Sequence, residues 1–451
     1  MTTSPPPFLV VGGSMAGMLA ARVLADHGPV TLVERDPLPE QADARRGLPQ
    51  APHLHALLAR GLGLLEHWFP GLRGELIRDG AVLVDGGKHV GWLGPYGWNP
   101  PLRRGALESV WATRDFLDAH VRARLRRDAR IRWVDDLRVE GLVLDPSRRA
   151  VRGVRARDGS ILDARLVVDA TGRGSKLPDW LRDAGLAAPH EIEVDARTVY
   201  SSAMVRLARP LPNGWKVIFV LGAPPKVLRG AAMSEVEGGR AMVTALAVGG
   251  EPCPEDAKAM ASYTSQLRSS VIGDALQGAE WLGPVRTTRS TTNRRRYYER
   301  ASLPAGLVVM GDALCAFNPI YGQGMTVAAM EAEALADLLG RMPPDDPRLA
   351  PRANRGFGKV AEFPWVAATG SDLRVPGTRG EPPPGLALAQ GYMDRLFAAA
   401  LTDEEVNRRT TRVLNLAAHP LSLYAPRMLW AALRQGTTEM VLGPVNVPVV
   451  S

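Results

Sequence analysis

Cysteine is nearly absent from this chain. Cys253 and Cys315 are the only two, far apart in sequence, which excludes a disulfide framework and fits a reducing compartment. Long apolar runs are missing as well: no uninterrupted stretch would span a bilayer, so stable membrane insertion is not expected. No charged-then-apolar leader precedes Phe8, and a cytoplasmic protein is the expectation. Lysine is confined to positions 88, 176, 216, 226, 258 and 359, so the net charge of +8 is carried by arginine. The short basic runs Arg126-Arg127 and Arg294-Arg295-Arg296 lack interleaved aromatics and any nucleic-acid motif. They read as solvated surface, with an anionic cofactor or acidic partner as the second reading, and nucleic acid is not an expected partner. Metal ligands are sparse too. His53 and His55 lie two apart, would diverge on a helix, and have no cysteine or acid to complete a set, which argues against zinc.

What the chain does have is an ample apolar content, 45% over 451 residues, punctuated by glycine turns. Phe8-Leu9-Val10-Val11 reads as a buried strand and runs straight into Gly12-Gly13-Ser14-Met15-Ala16-Gly17. A helical pattern follows through Leu19, Ala20, Val23 and Leu24, then a strand at Val30-Thr31-Leu32-Val33 that ends at Glu34-Arg35. Glycines in such a turn let the backbone approach a pyrophosphate at a helix N-terminus, and an acid at the end of the second strand can take ribose hydroxyls. Ser14 stands where the fingerprint has its middle glycine, so the motif is imperfect. A second stretch has the same logic. Leu307-Val308-Val309-Met310 reads as a strand, breaks at Gly311-Asp312, passes Pro319, Gly322 and Gly324, and enters a helix over residues 326–339. Unpaired N–H groups and a positive dipole at that helix start can hold an anionic or strongly polar group. Taken alone it reads equally as an ordinary strand–loop–helix connection; the N-terminal turn decides between the two.

The remaining pattern is mixed. A loop over residues 45–55 leads into a helix at 56–69, and Val110-Trp111-Ala112-Thr113-Arg114 precedes an amphipathic helix at 115–127. Strands are expected at 131–134, 139–144 and 151–155, and Leu166-Val167-Val168-Asp169 leads into Ala170-Thr171-Gly172-Arg173-Gly174-Ser175. Between residues 192 and 292 the pattern turns to β segments, at 198–207, 216–221, 241–248 and 284–292, interrupted by a helix at 254–267. Met204, Trp215, Phe219, Met233 and Met242 are candidate cavity residues there, although apolar residues in strands are more often core. Gly97-Trp98-Asn99-Pro100 is a candidate wall or lid. After the Pro343-Pro344-Asp345-Asp346-Pro347 boundary the tail is helical, with amphipathic segments at 387–401, 404–418 and 422–434. The last could touch a membrane surface; packing onto the domain that carries the two glycine turns is the expectation.

The two glycine turns together resemble the flavoprotein monooxygenases of the para-hydroxybenzoate hydroxylase fold. The resemblance implies an α/β chain: an FAD-binding, Rossmann-like domain of the glutathione-reductase type, an inserted β-sheet substrate domain and a C-terminal helical region. The expected boundaries are 1–80, 105–185 and 301–345 for the first, 81–104 and 186–300 for the second, and 346–451 for the third. It also implies non-covalent FAD, with its ADP half on Gly12, Ser14, Met15, Ala16 and Gly17, next to Glu34 and Arg35. Its ribityl and isoalloxazine would lie on the second turn. Asp312 would serve the ribityl and pyrophosphate region, and Pro319, Gly322, Gly324 and Met325 the flavin edge. Arg46, Gln50 and Arg114 are carried over as further cofactor contacts. Many relatives have Asp-Gly where this chain has Thr171-Gly172, and no second Gly-x-Gly-x-x-Gly turn is present. NADPH or a separate flavin reductase would be the electron source, and these departures favour the reductase.

Within that group the chain is most similar to the polyether epoxidases of the lasalocid and monensin pathways. Gly-Ser-Met-Ala-Gly at 13–17, Arg-Gly-Leu-Pro-Gln-Ala-Pro-His at 46–53, Asp-Ala-Thr-Gly-Arg-Gly-Ser at 169–175, Arg-Ser-Thr-Thr-Asn-Arg-Arg at 289–295 and residues 311–325 carry that likeness. It implies epoxidation or hydroxylation of an apolar, polyketide-like substrate through a flavin C4a-hydroperoxide, in antibiotic biosynthesis. The same group holds redox-neutral [4+2] cyclases in which FAD supports the fold, and a non-catalytic flavin-binding partner is the third reading. The Trp-x-Trp-x-Ile-Pro motif of flavin halogenases is absent, which disfavours that class.

Overall fold

The computed structural model describes residues 6–39, 51–103, 107–436 and 439–448. Five parallel strands form its first sheet, in the order Leu307–Val309, Leu166–Asp169, Phe8–Val11, Val30–Val33 and Ile131–Val134. The first four are apolar nearly end to end and fully buried, as parallel strands covered on both faces must be. The helices Met15–Ala25, Gly324–Leu339 and Leu349–Asp372 pack with this sheet into one apolar cluster. The three-stranded antiparallel sheet Val139–Leu144, Val151–Ala156 and Ile161–Asp163 extends it.

A second, eight-stranded sheet runs Glu280–Trp281, Val199–Arg206, Arg240–Ala247, Arg229–Val236, Val217–Val220, Val90–Gly94 and Gly97–Trp98, with Arg286–Thr288 beside Val199–Arg206. Its register decides which side chains share a face. Tyr200 pairs with Leu246, Ser202 with Thr244 and Met204 with Met242, so these point one way. Ala203, Val205, Trp215 and Met233 point the other way, into a separate core under the helices Ala257–Ser265 and Val271–Ala275. The candidate cavity residues therefore split: Met204, Phe219 and Met242 share one face, whereas Trp215 and Met233 are core. Trp98 stacks on Trp215 at 5.1 Å on the core side, so the 97–100 segment is not a lid over the other face.

Other differences have local reasons. The strand Arg229–Val236 was not signalled, because Gly230, Ala232 and Ser234 give one face no bulk and hide the period of two. The segment expected at 284–292 is shorter, and Asn293–Arg296 forms a different strand between Glu191–Val194 and Cys315–Ala316. Arg295 and Arg296 are consequently buried, at 1% and 5% exposure, rather than solvated. Arg295 pairs with Glu299 and Glu362 at 2.9 and 2.7 Å, and Arg296 with Glu191 at 2.6 Å. Ala56–Leu57 is a strand, and the helix behind it begins at Ala59. The tail helices Leu386–Ala399, Glu404–Leu414 and Pro426–Arg434 close around their own cluster of Leu396, Val406, Val413, Leu423, Met428 and Ala432. The last helix packs chiefly on Leu386–Ala399, and Phe363 of the helix Leu349–Asp372 joins the tail cluster to the rest of the fold. No described helix is long and apolar enough to cross a membrane.

Candidate functional site

The N-terminal turn is built by close approach. Gly12 has φ +110°, and a Cβ there would sit 2.3 Å from the Ala170 carbonyl oxygen. A Cβ on Gly17 would lie 1.8 Å from the Gly12 oxygen, so only glycine lets the helix Met15–Ala25 start this near its strand. Met15 and Gly17 are buried in that first turn, and Ala16 is half-buried. The Gly13 amide donates to Glu34 Oε2 at 2.7 Å, which holds the carboxylate at the mouth of the turn. Arg35 lies outside it, half exposed and 3.6 Å from Asp36. Ser14 Oγ accepts from Arg114 Nη2 at 2.8 Å, and Arg114 Nε donates to Asp118 Oδ1 at the same distance. The serine in place of the middle glycine thus ties this turn to the helix Arg114–Arg126.

The second turn abuts the first. Gly311 has φ +65°, and a Cβ on it would meet Ala16 Cβ at 2.7 Å. Its amide donates to Glu331 Oε2 at 2.7 Å; Glu331 is fully buried, its other oxygen has no partner among the described residues, and burial pushes its pKa from 4.5 up to about 8. Asp312 follows, half-buried, with its carboxyl raised above the usual range by burial against the pull of Arg173 and Arg114. Arg173 donates to the Phe317 carbonyl at 2.7 Å and to that of Thr292, bracing the loop beyond. Pro319 begins the short turn Pro319–Tyr321, Gly322 closes it at φ +61°, and the helix Gly324–Leu339 starts with Met325 buried. Gln323 Oε1, at this helix start, is buried and has no partner among the described residues. Arg46 and Gln50 lie outside the described residues.

A polar junction that no motif signalled locks the same loop from behind. Asp372 accepts from Asn293 Nδ2 at 2.6 Å, Asn318 Nδ2 at 3.1 Å and the Tyr321 hydroxyl at 2.7 Å. Tyr200 donates to Asn318 Oδ1 and accepts from the Ile320 amide at 3.0 Å. His53 belongs to this neighbourhood: its Nδ1 lies 2.8 Å from Ser202 Oγ, which lies 2.7 Å from Thr244 Oγ1. Burial lowers the pKa of His53 to about 4, and burial with the Arg114 charge lowers that of His55 to about 3, so both rings are neutral at pH 7. His53 is buried against the second sheet through Ser202. A cavity of about 300 Å³ opens beside it, lined by Pro52, Thr113, Ser202, Met204, Arg240 and Met242 among others. Glu237 spans the gap, accepting from the Thr113 amide and hydroxyl at 2.9 and 2.7 Å.

Asp169 has a local role. Its Oδ1 accepts from the Thr171 amide and hydroxyl at 2.9 and 2.6 Å, and its Oδ2 from Ser175 Oγ at 2.5 Å, so it pins the 171–175 turn.

Solved structures share this architecture. Flavin-dependent brominase Bmp2 is 15% identical, with 96% of this chain and 99% of that one covered and a TM-score of 0.68. PqsL of Pseudomonas aeruginosa, a probable FAD-dependent monooxygenase, is 17% identical, with 90% and 99% covered and a TM-score of 0.60. Diels-Alderase PyrE3 of the pyrroindomycin pathway is 17% identical, with 91% and 80% covered and a TM-score of 0.62. At these identities the likeness is one of fold, and it bears out the α/β class expected from the sequence. No family profile matches the sequence. Among curated sequences, Protein Rv3254 of Mycobacterium tuberculosis is 31% identical over 413 residues, 88% of this chain and 86% of that protein, and the chain belongs to its family.

Proposed function

We propose that the chain is a flavoprotein oxidoreductase that holds FAD non-covalently and uses it to transfer oxygen from O2 to an apolar, polyketide-like substrate. The observation carrying this reading is the contact of two glycine turns, each opening a helix N-terminus, around Glu34, Ser14 and Asp312. An extended dinucleotide fits such a groove. Residues 12, 311 and 322 must be glycine for backbone to stand this open, and Gln323 Oε1 at the second helix start, buried and without a partner among the described residues, suits a polar ligand edge. When bound, FAD would supply the redox chemistry. Glu34 would take the ribose hydroxyls of the adenosine half and Asp312 the ribityl chain. The N-terminus of Gly324–Leu339 would favour negative charge on the flavin's pyrimidine edge without a titrating side chain. The eight-stranded sheet would roof the flavin, with Met204, Phe219 and Met242 excluding water. The three-part division at residues 1–80, 105–185 and 301–345, then 81–104 and 186–300, then 346–451, belongs to this reading.

Epoxidation of an alkene is the favoured reaction, with hydroxylation on the same footing chemically. PqsL supports a monooxygenase on this fold, and PyrE3 keeps a second reading alive: a redox-neutral [4+2] cyclase that works by holding a polyene in a reactive shape. The absent tryptophan motif weighs against halogenation despite the likeness to Bmp2. Two measurements test the proposal. Heat denaturation should release yellow FAD into the supernatant, and a colourless protein that FAD cannot reconstitute would end the flavoprotein reading. The holoprotein is then given a polyene with labelled O2, with and without reductant. A labelled product, one oxygen heavier and dependent on reductant, supports the monooxygenase; an isomer of the substrate formed without air supports the cyclase.

A further inference from the structure

The helix Pro426–Arg434 buries Met428 and Ala432 against its neighbours and leaves the rest of its apolar side uncovered. Leu429 is 41% exposed, Trp430 60% and Leu433 70%, and the turn Pro420–Tyr424 just before adds Leu421 at 68% and Tyr424 at 55%. Single exposed apolar residues are ordinary, but a cluster of this size on a short stretch is not. With about 100° between successive residues, Leu429, Leu433 and Trp430 form one arc beside the buried seam, and Arg427 and Arg434 fall on the flank beyond Trp430.

Charge narrows the choice of partner. No aspartate or glutamate lies between Glu405 and Glu439, whereas that stretch carries Arg408, Arg409, Arg412, Arg427 and Arg434. Arg408 and Arg409 are held by Glu405, and Arg427 reaches Asp403 at 3.1 Å. Arg434 lies over the Trp430 ring at 5.8 Å. Glu405 and Asp403 thus answer three of the five arginines, while Arg412 and Arg434 have no ion pair among the described residues, so the flank of the patch keeps a net positive charge. A second copy docked symmetrically would bring two net-cationic flanks together, with Asp403 already committed to its own Arg427.

We propose that this face docks on an anionic lipid surface, with Leu429, Trp430 and Leu433 in the headgroup and upper acyl region and the arginines against lipid phosphates. The helix lies in the interface and does not span it, as amphipathic helices with a Trp/Leu face and an arginine flank do. The inference does not rest on the reading of the flavin site.

Co-sedimentation tests it. The purified full-length protein, with whatever flavin it carries, is mixed with vesicles of phosphatidylcholine alone or of phosphatidylcholine with phosphatidylglycerol, at low and high salt. Binding to the anionic vesicles should be about tenfold or more above binding to the neutral ones, and should weaken with salt. The double substitution Trp430→Ser with Leu433→Ser should abolish pelleting while the thermal midpoint and flavin content stay unchanged. Equal pelleting with both vesicle types, no pelleting, or pelleting that survives the double substitution would overturn the proposal. A dimer in sedimentation velocity that the same substitutions dissociate would also overturn it, making the patch a contact between copies.

Discussion

Asp312 follows a glycine held at positive φ, half-buried, and no donor among the described residues reaches its carboxylate. The Arg173 and Arg114 charges offset part of its desolvation, and a hydrogen-bonding ligand would answer the rest. Asp312→Ala should therefore weaken FAD binding by about 1.5–3 kcal/mol, or roughly one to two decades in Kd, and leave the fold intact. Titration of both apoproteins with FAD measures this, and equal constants would remove Asp312 from the site. Glu331, one helical run behind it, makes a different prediction. Its pKa is raised from 4.5 to about 8 by burial, so the folded state holds a proton that the unfolded state releases. Its contribution to stability is fully present below pH 4.5 and falls as pH rises toward 8, by up to about 1.4 kcal/mol per pH unit. Glu331→Gln keeps an acceptor for the Gly311 amide and cannot ionise. Urea midpoints across pH 5 to 8 should fall less steeply in the variant than in the parent; parallel slopes would mean that Glu331 is ionised in the fold.

At the scale of elements, Asp372 ends the long helix Leu349–Asp372 and fastens two others to it directly, the loop before Gly324–Leu339 through Asn318 and Tyr321 and the strand Asn293–Arg296 through Asn293, and a third, the eight-stranded sheet, by way of Asn318 and Tyr200. Asp372→Ala leaves three donors without their acceptor. The expected loss is about 3 kcal/mol or more, with Asp372→Asn losing less, read from urea midpoints. Intact stability in the alanine variant would show that water replaces the carboxylate without loss. This junction was invisible in the sequence because its members look like ordinary polar residues and its bonded pairs stand up to 120 positions apart. The glycine turns were visible because their chemistry is local: strand, glycine, helix and acid follow within a few residues. The strands Val30–Val33, Ile131–Val134 and Val139–Leu144 came out at their observed bounds for the same reason. Arg229–Val236 did not, since small residues on one face erase the alternation, and Arg295 read as solvated because its acids come from residues 299 and 362.

The source of electrons belongs to the molecule as a whole. A chain that binds NADPH tightly needs a site for a second nucleotide, and the sequence has no second Gly-x-Gly-x-x-Gly turn. Where relatives carry Asp-Gly, Thr171 spends both its amide and its hydroxyl on Asp169, so that turn is closed on itself. The feature that argues the other way is a cleft of about 220 Å³ lined by Arg173, Lys176, Arg182, Arg294 and Arg296, where phosphates would be welcome. Its cations are largely answered, however: Asp179 pairs with Lys176 and Arg182, and Glu191 with Arg294 and Arg296. Reduction of the bound flavin by NADPH alone should therefore be slow and should not saturate, whereas a separate flavin reductase should support turnover. Stopped-flow loss of the oxidised flavin absorbance decides between them. Fast reduction that saturates with NADPH would assign the reductive step to this chain, and Arg294→Ala, which opens the cleft, would then be the next substitution to slow it.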